Sequence, residues 1–389
     1  MYWTVQIDGG PRRVNHAAVA INNKIFSFGG YCSGEVYDGT KPIDVYVLDT
    51  DNFRWSAVDV CYSADDSDDQ TTSNSVTAPY QRYGHTVVEY GGKAFLWGGR
   101  NDDYGACNKM HVFDPFKRSW SLLNCEGKPP PARDGHSASV NNGVMYIFGG
   151  YEEISRRYSC ETYAFDFELS KWQQLRTTGD IPQWRDFHST CIIDNCMYVF
   201  GGRSDQTLDF QTSNDVYCDK LKMLDLRSNI WSEPKVIGER PCGRRSHTAW
   251  TYDGKMYIFG GYLGTENQHF GDLWEFNPKT LRWKQIFAHG VAPTPRRRHC
   301  TVLVNGQVFL FGGTTPLNVK KSEPIHSGLS ELADLHVLDY SPSLKTLSAM
   351  AVLKNGLQET YCHVLPFDLR YDLRMRMIPN EIATLRHDG

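Results

Sequence analysis

Short apolar runs separated by polar turns fill residues 1–340, and they fall into one phrase written six times. Each copy opens with Arg-x-x-His, at Arg13/His16, Arg82/His85, Arg133/His136, Arg185/His188, Arg244/His247 and Arg296/His299. An apolar run follows, then a polar turn such as Asn-Gly or Asp-Gly, then a β-rich run such as "KIFSFGG", "MYIFGG" or "QVFLFGG". These runs end at glycine pairs led by Gly29, Gly98, Gly149, Gly201, Gly260 and Gly312, at the same distance from the His in every copy. That grammar predicts a β-hairpin ending at the glycine pair. A third strand is expected in "IDVYVLD" (43–49), "KMHVFD" (109–114), "TYAFD" (162–166), "LKMLD" (221–225), "DLWEFN" (272–277) and "DLHVLD" (334–339), and a fourth at Trp55, Trp120, Trp172, Trp231 and Trp283.

The sixth copy has no Trp where its fourth strand should begin. "YWTVQI" (2–7) has the form of the missing strand, with Trp3 a short loop before Arg13 as Trp172 is before Arg185. The expectation is that residues 2–7 complete the last unit, so that first and last segments pair and no sheet edge is left open there. Units are expected near 13–60, 82–124, 133–176, 185–235, 244–287 and 296–340 plus 2–7, followed by a helical segment over 341–376 and a tail over 377–389.

Four antiparallel strands per unit at a period of roughly fifty residues is the arithmetic of a propeller blade. Residues 1–340 resemble the kelch-repeat family. The resemblance implies an all-β fold, a six-bladed kelch β-propeller closed by the N-terminal strand and followed by a short helical C-terminal tail.

Composition narrows the function classes. Hydrophobic residues make up 40%, enough for a core, and the net charge of −4 gives no electrostatic footprint for a nucleic-acid duplex or an anionic membrane. No apolar run approaches membrane length, and no leading segment has a signal peptide's charge pattern. The eleven cysteines are scattered without zinc spacing, so they read as small buried hydrophobes of a reducing compartment, cytosol or nucleus. The insert 61–79, "CYSADDSDDQTTSNSVTAP", is acidic and aperiodic and reads as an excursion between the first two blades.

The six recurring histidines lie around a ring instead of converging on a metal, so each Arg and His is expected to bond backbone within its own blade. No cofactor is expected. Kelch propellers include a copper oxidase, but no Tyr, His and Cys ligand set stands out, nor any Ser-His-Asp order or isolated carboxylate pair. A binding module is the better default.

The residue after each glycine pair should open on one face of the ring: Tyr31, Arg100, Tyr151, Arg203, Tyr262 and Thr314. The variable pair of Arg-x-x-His should face the same mouth, contributing Asp186, Phe187, Arg245, Ser246, Arg297 and Arg298. Tyrosines and arginines together offer aromatic contact and forked donors for a carboxylate. For any single Arg the bland reading, a solvated surface charge, stands beside this one.

After the ring, "SPSLKTLSAMAVLKNGL" (341–357) is apolar at helical spacing, with Leu344, Ser348 and Val352 on one stripe, and "HVLPFDLRYDL" (363–373) carries Leu365 and Pro366. A helix after a completed domain usually packs on that domain. Ser343-Leu344, Ser348 and Val352 are also similar to the elongin-binding box of cullin substrate receptors, and Leu365-Pro366 resembles the accompanying cullin-2 box. Ser348 stands where that box has Cys, and desolvating its hydroxyl should weaken binding by on the order of 1 kcal/mol.

The whole chain thus resembles the kelch substrate receptors of cullin-2 ubiquitin ligases. The resemblance implies a non-catalytic adaptor that binds protein C termini ending in glycine, particularly after Arg, Lys or Gln, and recruits elongin B/C and cullin-2. It places the terminal carboxylate at Arg203, Arg245 and Ser246, with Tyr151 lining the pocket. No second carboxylate Arg is found between Ser204 and Phe210. The terminal "RHDG" (386–389) itself ends in Gly389, so self-binding of the tail is a further expectation. The competing reading is a non-ligase kelch scaffold, chromatin-associated in one known case, whose tail helix only packs on the ring.

Overall fold

Each copy of the phrase folds as a four-strand antiparallel meander. In the computed structural model, residues 1–35, 41–61, 77–205, 215–317, 328–361 and 363–385 are described; most of the acidic insert, and the expectation attached to Gly389, lie outside them. The first sheet runs Ala17–Ile21, Lys24–Phe28, Val45–Asp49, Arg54–Val58. The second runs Tyr83–Tyr90, Lys93–Asn101, Met110–Asp114, Ser119–Leu123, and the third Ser137–Asn141, Val144–Phe148, Thr162–Asp166, Lys171–Gln174. The fourth is Ser189–Ile193, Cys196–Phe200, Lys222–Asp225, Ile230–Ser232, and the fifth Thr248–Tyr252, Lys255–Phe259, Leu273–Asn277, Arg282–Ile286. The sixth takes Cys300–Val304, Gln307–Phe311 and Leu335–Asp339, and its outer strand is Tyr2–Ile7, paired from Tyr2↔Asp339 to Ile7↔Leu335.

Alternation along the strands puts apolar side chains on both faces of every sheet, so each face is buried against a neighbour. Six apolar clusters result, each drawn from two consecutive sheets. Phe28 and Val47 of the first sheet meet Leu96 and Phe113 of the second. Val5, Ile7 and Val337 of the sixth meet Ile25, Leu48 and Trp55 of the first.

The innermost connections are bonded in a cycle. Gly84 N–H donates to Asn15 O (3.0 Å), Gly135 to Gly84 (2.9 Å), Phe187 to Gly135 (2.7 Å), Ser246 to Phe187 (2.8 Å), Arg298 to Ser246 (2.9 Å) and Asn15 to Arg298 (3.2 Å). These are the residues just before each recurring His, and all six have left-handed φ. The glycine pairs serve the same crowding: a Cβ on Gly149 (φ +67°) would stand 2.7 Å from His188 Cε1 and 2.8 Å from Arg185 O.

The recurring Arg behaves as expected in five copies. Arg82, Arg133, Arg185, Arg244 and Arg296 are buried, and each donates to the carbonyl of its own blade's Gly98, Gly149, Gly201, Gly260 or Gly312. Arg13 instead binds Asp44 and Glu35. The His expectation is corrected: four of these side chains bond a hydroxyl of the preceding blade, not backbone of their own. Thr86 meets His136, Ser137 meets His188, Ser189 meets His247 and Thr248 meets His299, at 2.7–2.9 Å. The hydroxyl belongs to the residue following the previous His. Ala17 and Cys300 stand at that position in the other two copies, so His85 turns to Phe28 O (3.1 Å).

The cysteines are also less uniformly buried than expected. Cys32, Cys107 and Cys191 are buried, but Cys242 is exposed, and no disulfide forms among the described residues. No described helix is long and apolar enough to cross a membrane.

Beyond the sixth sheet come helices α1 (Leu344–Lys354), α2 (Leu357–Thr360) and α3 (Phe367–Met375). Ser343 caps α1, accepting from Thr346 N (3.1 Å), and Gly356 at φ +65° ends that run. A last strand, Ala383–Leu385, lies parallel to Arg54–Val58 at the edge of the first sheet.

Candidate functional site

The six positions expected at the mouth are paired by the backbone itself. The first variable residue of Arg-x-x-His forms an antiparallel bridge with the residue after the glycine pair in every repeat: Val14↔Tyr31, Tyr83↔Arg100, Asp134↔Tyr151, Asp186↔Arg203, Arg245↔Tyr262 and Arg297↔Thr314. A side chain after one glycine pair is therefore held beside a side chain two residues before the buried His.

A cavity of about 610 Å³ opens among these residues, lined by Tyr31, Arg100, Phe187, Arg203 and Arg245, and also by Tyr83, Asp102, Asp134 and Arg298. Ser246 faces a smaller central cavity of about 120 Å³ among the recurring histidines. Tyr151 packs edge-on against Tyr158 (5.4 Å), away from the larger cavity's lining. Tyr262 lies beneath two guanidinium groups, Arg297 at 4.0 Å and Arg245 at 5.6 Å from its ring.

The arginines divide into two groups. Arg203 already holds a carboxylate: its Nη2 and Nε donate to the two oxygens of buried Asp186 at 2.6 and 3.2 Å. Arg100 lies 3.5 Å from Asp102 and 3.7 Å from Glu153. Arg245, Arg297 and Arg298 have no carboxylate within ion-pair distance among the described residues; Arg298 donates to the Tyr31 hydroxyl (2.7 Å). Burial, then repulsion from Arg298 and Arg245, pushes the Arg297 guanidinium down to about 10. Three neighbouring arginines thus have no carboxylate in ion-pair contact among the described residues, which leaves forked donors available to an anion.

Arg298 lines the cavity as expected, whereas Asp134 and Tyr83 are lining residues that the sequence reading does not single out. The signal was present: Tyr83 and Asp134 occupy the position that Asp186 and Arg245 occupy in their own repeats. Aligning the six copies by Arg-x-x-His would have brought them out.

Among the described residues, no group of His, Cys, Asp and Glu is arranged to hold a metal ion.

In the tail, Leu344 is 83% exposed and Ser348 is exposed too, while Val352 is half-buried; Leu347, Leu353 and buried Ala349 turn inward. Leu365 is half-buried and Pro366, exposed, precedes α3.

A family model described as the KLHDC2/KLHL20/DRC7 Kelch-repeats domain matches residues 84–313, and the Kelch motif matches residues 12–58. The chain belongs to the kelch-repeat β-propeller family. It is 43% identical to kelch domain-containing protein 3 of Homo sapiens over 381 residues, 98% of this chain and 97% of that protein, with the same figures for the Mus musculus protein. Kelch domain-containing protein 10 of Homo sapiens is 26% identical over 364 residues, covering 90% of this chain and 78% of that one.

Proposed function

We propose that this chain is the substrate-recognition subunit of a cullin-2 ubiquitin ligase, non-catalytic itself, whose propeller binds protein C termini ending in glycine. The six sheets are read as six blades of one ring sealed by residues 2–7. The observation that carries the proposal is the group Arg245, Arg297 and Arg298, which meets no carboxylate among the described residues beside a cavity of peptide size. A free terminal carboxylate occurs once per chain. Two or three charge-assisted bonds at about 1.5–3 kcal/mol each suffice to hold a short terminal peptide without a large interface. In this reading the clamp centres on Arg245 and Arg298, supported by Arg297, Tyr31 and Tyr262, while Arg203 keeps Asp186 in place. The resemblance to the elongin and cullin boxes is supported by the outward position of Leu344 and Ser348 and by exposed Tyr361, Val364, Phe367 and Tyr371. Partners are elongin B/C and cullin-2, in the cytoplasm or nucleus.

Fluorescence polarisation tests the receptor half. An Arg-Gly peptide with a free carboxylate should bind, and either amidation or Arg245→Ala should cost about 2 kcal/mol or more. Equal binding of acid and amide overturns it. Co-purification tests the ligase half: elongins B and C should come down with the intact chain and be lost with Leu344→Ala, whose exposure predicts an unchanged melting temperature. Failure to recover elongins under conditions that retain a control receptor leaves the scaffold reading.

A further inference from the structure

The group of unpaired arginines carries more charge than one terminal carboxylate meets. In the two repeats that supply it, Asp272 and Asp334 are taken by the buried Arg244 and Arg296. Glu266, the carboxylate of the hairpin from Tyr262 to His269, is exposed and forms no ion pair among the described residues. Arg245, Arg297 and Arg298 are left as neighbours of one another, and the mutual repulsion registers twice. Arg298 and Arg245 add to burial in lowering the Arg297 guanidinium to about 10, and Arg297 and Arg298 add to burial in lowering the His269 imidazole to about 4. His269 is therefore neutral at pH 7 and adds nothing to the charge. A carboxylate held between Arg245 and Arg298, which both line the cavity, answers one positive charge of three.

Arg297 stands apart from that pair. Its backbone is bridged to Thr314, its half-buried side chain lies outside the cavity's lining, and its guanidinium sits 4.0 Å from the centroid of the Tyr262 ring, a neutral partner. The Arg245 guanidinium is 5.6 Å from the same centroid, so the two are at most about 10 Å apart, a distance that an extended peptide spans in about three residues. The end of a peptide in the cavity meets Arg245 and Arg298, and the stretch of chain leading into the cavity passes Arg297. We propose that Arg297 forms a second anion subsite at the rim, and that preferred ligands carry an anionic side chain about three residues upstream of their terminal carboxylate. The assignment rests on the C-terminal-peptide reading above and adds a second point of recognition to it. A guanidinium stacked on an aromatic ring is already ordered, so presenting its donors to an anion loses little freedom. The incoming charge also cancels repulsion among the three arginines. An acidic residue and a phosphorylated hydroxyl both supply that chemistry.

The test compares free-acid peptides ending Arg-Gly that carry Glu, Gln or phosphoserine at the third, fourth or fifth residue from the end, plus an Arg-Gly amide, on wild type, Arg297→Gln and Arg297→Lys. Polarisation reads affinity, and thermal melts establish that each variant is folded. Wild type should bind the Glu peptide about fivefold more tightly than the Gln peptide at one of these positions, the upper end for a partly exposed ion pair. Arg297→Gln should bring that ratio to one while the Gln peptide keeps its affinity, and Arg297→Lys, which retains the charge but not the fork, should keep part of the preference. A larger gain for phosphoserine than for Glu supports the subsite with a phosphorylated residue as its occupant. Equal binding of Glu, Gln and phosphoserine at all three positions in wild type overturns the subsite even if Arg297→Gln does not fold. A preference that survives intact in Arg297→Gln overturns it as well, and in both cases the preference for free acid over amide still stands. Absence of that preference in wild type removes the terminal-carboxylate reading, and this inference with it.

Discussion

Phe187 and Arg298 sit in a backbone conformation that their side chains oppose. Their φ angles are 49° and 62°, in the left-handed region where two sister repeats place Gly84 and Gly135. An L-residue there costs about 1–2 kcal/mol, so the strain points to a task that glycine cannot perform. Both side chains line the large cavity. Arg298→Gly is accordingly expected to leave the melting temperature unchanged or higher and to weaken Arg-Gly peptide binding at least tenfold; a lower melting point with full binding would make Arg298 structural. The recurring histidines give a second expectation. Burial, then charge repulsion that in every copy includes the same repeat's Arg, holds all six imidazoles neutral, with His16, His85 and His247 pushed down to about 3. An unfolded imidazole binds its proton near 6.5, so between about 3 and 6.5 the unfolded chain holds more protons. Stability is therefore full above 6.5 and falls on acidification, by up to about 1.4 kcal/mol per pH unit for each His. Asp134, raised to about 7, and Asp186, also raised by burial, have the opposite sign, two groups against six. Urea midpoints should drop steeply from pH 7 to 5, and a flat profile overturns the assignment of neutral buried imidazoles. At this scale the sequence marked the residues that the backbone bridges pair, because they keep fixed spacing from Arg-x-x-His, but not which of them line the cavity: Tyr31, Arg100 and Arg203 do, and Tyr151, Tyr262 and Thr314 do not. It could not reveal that Arg203 is already paired, since Asp186 stands across a bridge whose register only the fold sets.

The strands themselves were legible for the same reason: the period-two runs and glycine pairs repeat, and observed strands fall within a residue or two of the expected ones. Segment 377–385 was not, because it has no repeat to be compared with and its partners stand more than 320 residues earlier. Elsewhere the chain leaving one sheet runs beside the outer strand of the next, as Glu126–Gly127 does along Lys171–Trp172, Thr178–Gly179 along Ile230–Trp231 and His289–Gly290 along Tyr2–Trp3. At the junction of sixth and first sheets that place is taken by the tail. Asn380 N–H donates to Asp8 O (2.7 Å) while its Oδ1 accepts from Trp55 N (3.0 Å). Arg54 donates to the carbonyls of Met375 and Ile378, and Ala383–Leu385 covers the outer edge of the first sheet. Asn380→Ala leaves the Trp55 N–H buried and unbonded, at a cost of about 1–3 kcal/mol. Truncation before Arg376 should add self-association through the uncovered edge. Melting curves and size-exclusion profiles check both; a truncated chain as stable and monodisperse as the full one would show the tail to be ornamental.

At the scale of the molecule, the site and the junction share a backbone. Arg298 O accepts from Asn15 N–H, so the loop that presents an unpaired arginine also joins the last repeat to the first. The same junction is packed by Val5, Ile7, Ile25 and Trp55 and hemmed by the tail. Parting the sixth and first sheets breaks the Asn15–Arg298 bond and moves Arg298 and Arg245 away from Tyr31, so a ligand that touches both walls binds only the joined form. A ligand present at a hundred times its dissociation constant stabilises the form it binds by about 2.7 kcal/mol, roughly a hundredfold in any opening equilibrium it excludes. Hydrogen exchange with saturating Arg-Gly peptide should therefore slow amides not only around Arg245 and Arg298 but also in Tyr2–Ile7, which touches no part of the cavity. The amidated peptide supplies the baseline. Slowing at the mouth with unchanged exchange in Tyr2–Ile7 would mean that the junction opens without disturbing the site. Slowing at both, lost together in Arg298→Gly, would make ring integrity and ligand binding two faces of one equilibrium.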